Sequence, residues 1–248
     1  MDKTHSSPEI SVVIPAYNEE KLIGKCLEAL AQQSFPPDNY EVIVVNNAST
    51  DHTAEIVHSF APNFPHLTLI HEPDHDISVA RNSGFKKARA IIIASTDADT
   101  QVPSDWLEQI WTEFERNEML AGLTGTYRYS GKSRLFNTLS TAIMKVADNT
   151  HRLLTGSFPF RGANFAVKKK LWAMAGGFTP HFGVLEDIDL SLRVGRLGKI
   201  NYLADLVVST TYRRFQGRFF KQLAVWTKAY LGRVIFKSNK KVYWEPVR

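Results

Sequence analysis

A single cysteine, Cys26, stands among 248 residues, so the chain can form no internal disulfide. That usage fits a reducing compartment. No stretch of 18 residues is apolar and uncharged, so no membrane-spanning helix is expected. No apolar segment follows Met1-Asp2-Lys3-Thr4-His5-Ser6-Ser7-Pro8, so no secretory signal is expected at this end and a cytoplasmic location is. The eight histidines show no metal-ligand spacing, such as two His four apart on a helix. Internal repeats, low-complexity segments and a Pro/Gly/Ser-rich linker are also lacking. Together these absences exclude a disulfide-stapled scaffold, a helical membrane protein, a repeat array and a histidine zinc site.

What is present is an ordinary globular composition, 44% hydrophobic and 22% charged, long enough for one sizeable α/β core. The net charge of +5 is unevenly placed. Residues 210–248 hold ten Lys or Arg against one Glu, which is +9, so the other 209 residues carry −4. A basic tail on a mildly acidic body implies an anionic partner for the tail: a phosphate-bearing substrate, a membrane surface or nucleic acid.

The first half alternates strands and helices. Ile10 to Ile14, Glu41 to Val45, Leu67 to Ile70 and Ala90 to Ser95 are short apolar runs with the character of buried parallel strands. Leu22, Ile23, Cys26, Leu27 and Leu30 recur at helical spacing between the first two. Ser49, Thr50 and Asp51 can cap a helix carrying Ile56 and Val57; Ser78 to Arg89 and Pro103 to Glu115 read as further helices. This order predicts a mostly parallel sheet covered on both faces, with ligands beyond the carboxyl ends of its strands. Past about residue 125 the alternation fails. Leu135, Leu139, Ala142, Ile143 and Val146 mark an amphipathic helix with Lys132, Arg134, Lys145 and Arg152 around it. Gly162 to Val167 reads as an edge strand, Leu185 to Leu197 as a helix, and Arg218 to Lys237 as a basic amphipathic helix.

Two acidic clusters carry the chemistry. Asp97-Ala98-Asp99 follows the fourth strand, where two carboxylates can share a hard cation such as Mg²⁺ or Mn²⁺ with its waters and a substrate's phosphates. An acidic turn after a strand is the plainer alternative. Glu186-Asp187-Ile188-Asp189 is the second cluster, and acids also favour the first turn of a helix. Asp189 reads as such a residue. Asn18 fits a turn or helix cap, Cys26 a core position, and His181 a loop.

The series Ser11-Val12-Val13-Ile14-Pro15-Ala16-Tyr17-Asn18-Glu19-Glu20, Val44 to Thr53 and Val79-Ala80-Arg81-Asn82-Ser83-Gly84 precedes Asp97-Ala98-Asp99. Gly162-Ala163-Asn164-Phe165, Gly176-Gly177-Phe178 and Glu186-Asp187-Ile188-Asp189-Leu190 follow it. Each is weak alone. In this order they resemble family 2 inverting glycosyltransferases over roughly residues 10–214. The resemblance implies the GT-A fold, a Rossmann-like single domain with a central mostly parallel sheet, and here a C-terminal basic amphipathic helix. Its span would be 1–214, with a nucleotide-binding half at about 8–125, an acceptor half at about 126–214, and 215–248 as the basic extension.

By that resemblance Pro15, Ala16, Tyr17 and Glu19 form a loop under the nucleotide of a UDP- or GDP-sugar. Asn47 faces the base, and Arg81 lies near the diphosphate. Asp97, Ala98 and Asp99 make the DXD motif, with Asp99 the more direct ligand of Mn²⁺ or Mg²⁺. Asp187 is the general base for an acceptor hydroxyl, with Glu186 beside it. Asn46 departs from the usual aspartate, which weakens the case for uracil. Arg213-Arg214 match basic residues that family members place after the last strand. The Gln-x-x-Arg-Trp motif of polymer-making members is absent, so transfer of one sugar is expected. Segment 218–237 implies either peripheral membrane contact, with a lipid-linked acceptor, or a helix packed on the domain. Two other readings stay open: a sugar-phosphate nucleotidyltransferase, whose usual Gly-rich, basic opening loop is missing, and a non-catalytic sugar-nucleotide-binding module. No motif beyond charge supports nucleic-acid binding.

Overall fold

Strand residues alternate between two cores with a period of two. Ile10, Val12 and Ile14 of β1 (Ile10–Ala16) and Val42 and Val44 of β2 (Tyr40–Asn47) enter one core; Val13, Ile43 and Val45 enter the other. Both faces of the sheet are therefore apolar and both need cover. The computed structural model describes residues 7–213 and 219–235. It supplies that cover with α1 (Ile23–Ala31), α2 (Thr53–Ser59) and α4 (Trp106–Arg116) on one face. On the other lie α3 (Ile77–Lys87), α6 (Lys169–Met174) and α7 (Glu186–Val194).

The seven strands run in the order β3-β2-β1-β4-β6-β5-β7, with β3 at Leu67–Glu72, β4 at Ile92–Ser95, β5 at Leu120–Tyr129, β6 at Phe165–Lys168 and β7 at Lys199–Thr210. β1 pairs in parallel with β2 and β4, and β2 with β3. The run around Phe165, expected as an edge strand, lies inside the sheet. β6 is antiparallel to both β4 and β5, and Phe165, Ala166 and Val167 are buried. Its short length hid its place: three buried residues before Lys168 look like any apolar fragment. Asn164, just before it, is a fully buried amide that accepts from Trp106 Nε1 at 2.9 Å and donates to the Thr126 and Leu206 carbonyls, each at 2.8 Å. Every hydrogen-bonding atom of that amide is satisfied, so burial costs little.

Gly84 sets how closely α3 approaches the sheet. A Cβ there would lie 2.4 Å from Val13 Cγ1 and 3.0 Å from Val45 Cγ2. Gly84→Val is expected to lower stability by about 3 kcal/mol through overpacking. Thermal unfolding then shows a Tm lower by roughly 6–12 °C; an unchanged Tm would mean that α3 shifts without cost.

The C-terminal helix α8 (Phe219–Tyr230) rests on the domain through part of its apolar face. Ala229 is buried, and Val225, Trp226 and Tyr230 pack with Val184, Leu185 and Ile188 of the domain. Lys221 and Lys228 face outward. Its described apolar side chains therefore cover the domain. Among the described residues no helix is long and apolar enough to cross a membrane.

Candidate active site

The carboxyl ends of β1, β2 and β4 converge, as expected of a parallel sheet. After β1 the chain turns through Asn18 at φ +53°, a left-handed residue rather than a cap. Its Oδ1 accepts from Thr50 N at 2.8 Å, and its own N–H donates to Ser49 Oγ at 3.0 Å, which ties the first loop to the second. Tyr17 stays 43% exposed, its ring centroid 4.0 Å from that of His75. Asn47, at the end of β2, donates both amide hydrogens, to the Glu72 carbonyl at 3.3 Å and to the Asp74 carbonyl at 2.5 Å. Its side-chain oxygen remains the atom able to accept from a base N–H. Asn46 instead serves the fold: its Oδ1 accepts from Ser49 N at 3.1 Å, and its amide nitrogen meets His71 Nδ1 at 3.4 Å. The departure at Asn46 therefore has a local structural use.

Arg81 is the hub. It is 2% exposed, not a surface helix residue. Nη2 donates to Asp97 Oδ1 at 2.9 Å, and Nη1 forms a short contact with Glu186 Oε1. One guanidinium thus joins the acidic pair after β4 to the acidic pair opening α7, 105 residues away in sequence from Arg81. A Cβ on Gly162 would lie 2.4 Å from Arg81 Nη2, so that glycine leaves room for the fork.

Asp187 stands beside this hub. Its Oδ2 accepts from Gly162 N at 2.7 Å, and its Oδ1 from Ile188 N at 2.8 Å. Burial lifts its carboxyl above the usual carboxylate range; Arg81 and the two N–H donors pull it back, and Asp97 pushes it up. Each oxygen keeps a second lone pair for an incoming hydroxyl. Asp189 lies in the first turn of α7, as expected of it, and also pairs with Arg193 one turn on, at 2.7 Å.

A third acid, Glu19, joins the first cluster. Burial raises its carboxyl, Arg213 lowers it, and Asp99 and Asp97 raise it further. Arg213 Nη2 donates to Glu19 Oε1 at 2.5 Å and lies 3.6 Å from Asp99 Oδ2. Thr210 donates to Asp99 Oδ1 at 3.2 Å, and Thr211 to Oδ2. The sequence did not single out Thr210, Thr211 or Gly162 as neighbours of these acids, because each arrives from a distant strand or loop. Arg214 lies outside the described residues. Cys26 is buried core, as expected, and burial beside the acids raises its thiol. His181 sits on an exposed loop, 3.2 Å from Asp74.

The donor set fits a hard divalent cation. Asp97 and Asp99 offer carboxylate oxygens, and their crowding with Glu19 is an excess of negative charge that a cation would offset. Among the described residues no three His, Cys, Asp or Glu side chains form a ligand cluster by themselves. Any cation held by Asp97 and Asp99 would complete its shell with water and phosphate oxygens.

The family model for "Glycosyl transferase family 2" matches residues 11–181. Glycosyltransferase AglE of Haloferax volcanii is 39% identical over 107 residues, 43% of this chain and 35% of that protein. A Methanococcus voltae protein is 25% identical over 250 residues, 95% of this chain and 76% of its own. It is named dolichyl N-acetyl-alpha-D-glucosaminyl phosphate 3-beta-D-2,3-diacetamido-2,3-dideoxy-beta-D-glucuronosyltransferase. The first three curated relatives are matched over 35%, 37% and 47% of their length, so the chain spans less than half of each. Mannosyltransferase PcManGT of Pyrobaculum calidifontis, solved with GDP-Man and Mn²⁺, shares the fold at a TM-score of 0.74 and 24% identity, over 95% of this chain and 66% of that one. The fold is GT-A, and the chain belongs to glycosyl transferase family 2.

Proposed function

We propose that this member of glycosyl transferase family 2 moves one sugar, with inversion, from a nucleotide-diphosphate sugar to an acceptor hydroxyl. The observation that carries the reading is the Arg81 hub, which holds a phosphate-side acid pair and an acceptor-side acid pair in one wall. Residues 8–125 serve the donor and 126–214 the acceptor. Tyr17 presents an exposed ring for the base to stack on, and Asn47 offers its oxygen to a base N–H. Pro15, Ala16 and Glu19 line the same loop. Asp97 and Asp99 hold Mn²⁺ or Mg²⁺, which when bound neutralises charge growing on the diphosphate. Arg81 and Arg213 lie behind these acids and add positive charge on that side.

Asp187 takes the proton from the acceptor hydroxyl as that oxygen attacks the anomeric carbon and the nucleotide diphosphate leaves. Its raised proton affinity suits a base. Glu186, fixed by Arg81, keeps negative charge beside it. A lipid-linked acceptor is supported by the name of the Methanococcus voltae relative, which refers to a dolichyl phosphate.

Thermal unfolding with UDP and with GDP, each with and without Mn²⁺, tests the donor half. At 100 times its Kd a ligand stabilises by about 2.7 kcal/mol, a Tm rise of roughly 5–10 °C. A rise with one nucleotide that requires Mn²⁺ is expected. No rise with either nucleotide would favour a non-catalytic module.

A further inference from the structure

Helix α5 (Arg134–Thr155) is built inside out. Its only buried residues are Asp148 and His151. Leu135, Leu139, Ile143, Val146, Leu153 and Leu154 are 59% to 81% exposed. With Ala142 they recur at helical spacing, so they form one outward stripe about 29 Å long. An ordinary surface helix turns such a stripe to the core. The inner face is held by polar bonds and by Phe136, whose ring meets those of Tyr129 and Tyr212. Asp148 Oδ2 accepts from Arg161 at 2.6 Å, His151 Nδ1 meets the Tyr230 hydroxyl at 2.8 Å, and Asn137 bonds the Tyr129 backbone at 2.8 and 3.1 Å.

Charge identifies what covers the stripe. Arg134, Lys145 and Arg152 are exposed and, by their spacing, share one flank of it, with Lys132 just before the helix. The one acid on α5, Asp148, is turned inward. A second copy of this chain would bring the same stripe and no outward acid on α5 to pair with the basic flank. The chain's own tail, 236–248, holds four Lys or Arg and one Glu, and would be repelled by that flank. We propose that α5 lies in the interface of an anionic lipid bilayer, with its leucines in the acyl boundary and its basic flank on the headgroups. This differs from a contact through α8, whose described apolar side chains cover the domain. Arg161, paired with Asp148, directly precedes Gly162, whose N–H holds Asp187. The bilayer contact would therefore sit one ion pair away from the proposed base.

Flotation of the full chain with vesicles at low ionic strength tests this. The vesicles hold phosphatidylcholine with or without phosphatidylglycerol, and no donor or glycan acceptor. Failure here is thus separable from failure of the transfer reading. The chain is expected to float with the anionic vesicles only. Lys145→Gln/Arg152→Gln weakens binding roughly 30-fold, at about tenfold per 1.4 kcal/mol and about 1 kcal/mol per basic residue near the surface. Leu139→Asp/Val146→Asp abolishes it, with Tm unchanged because both side chains are already in solvent. Absence of flotation, or equal flotation by Leu139→Asp/Val146→Asp, would overturn the proposal. So would light scattering that shows a dimer which this variant converts to monomer.

Discussion

Asp187→Asn is expected to lower kcat by about 10²–10⁴-fold while the nucleotide-dependent Tm shift stays in place. The amide keeps an oxygen for Gly162 N–H, but its nitrogen turns toward Ile188 N–H, so one of the two bonds that Asp187 accepts is lost. It cannot take the proton from the acceptor hydroxyl. Two effects on stability oppose each other. Burial raises the Asp187 carboxyl above its unfolded value. The folded state then binds its proton more tightly, so this group's contribution is full below the unfolded pKa and is lost as pH rises through the folded pKa. At neutral pH the wild type carries that penalty and the amide does not, which offsets the lost Ile188 bond of about 1 kcal/mol, so the variant's Tm is expected to stay within roughly 4 °C of the wild type's. The same shift places the acidic limb of the kcat–pH profile above the ordinary carboxylate range of about 4. Near-normal turnover in Asp187→Asn, or a limb at or below that range, would remove Asp187 as the base.

Arg81→Met is expected to destabilise the fold by about 3–5 kcal/mol, a Tm fall of roughly 10 °C or more. Arg81 is the cation between Asp97, Glu186 and Asp187, and all three hold it protonated. Without it Glu186, whose side chain is 13% exposed, loses the ion pair at its Oε1, and Asp187 loses the nearby positive charge that offsets its burial. Asp97, at 37%, is partly screened by water and contributes less. Arg81→Lys should rescue little, because one ammonium cannot span both carboxylates as the planar fork does. Denaturant unfolding of both variants checks this. A loss under 1 kcal/mol would show that the acids repack around a missing cation.

Strands β1, β2 and β4 were legible as short continuous apolar runs, and α1 by apolar residues three and four apart. β5 was not. Its sequence Leu-Ala-Gly-Leu-Thr-Gly-Thr mixes small and polar residues because Phe160 and the Asn164 amide pack where Gly122 and Gly125 leave room. β7 was missed for the opposite reason: it is an edge strand, half exposed and carrying Asp205. The period of α5 was legible, but period alone does not say which face turns inward; Asp148 and Arg161 decide that. In the site, the acid pairs sit where strand ends and helix starts were expected. Their coupling through Arg81, and the clasp of Arg213 on Glu19, join residues 105 and 194 positions apart. No local pattern encodes such pairs.

The proposed metal-assisted nucleotide site at Asp97 and Asp99 can be tested by calorimetric titration of UDP and GDP into the wild type and into Asp99→Asn, each with and without Mn²⁺. One nucleotide is expected to bind the wild type tightly only with Mn²⁺, and Asp99→Asn to lose this metal-dependent part. Nucleotide binding of equal strength in both proteins, indifferent to Mn²⁺, would contradict it.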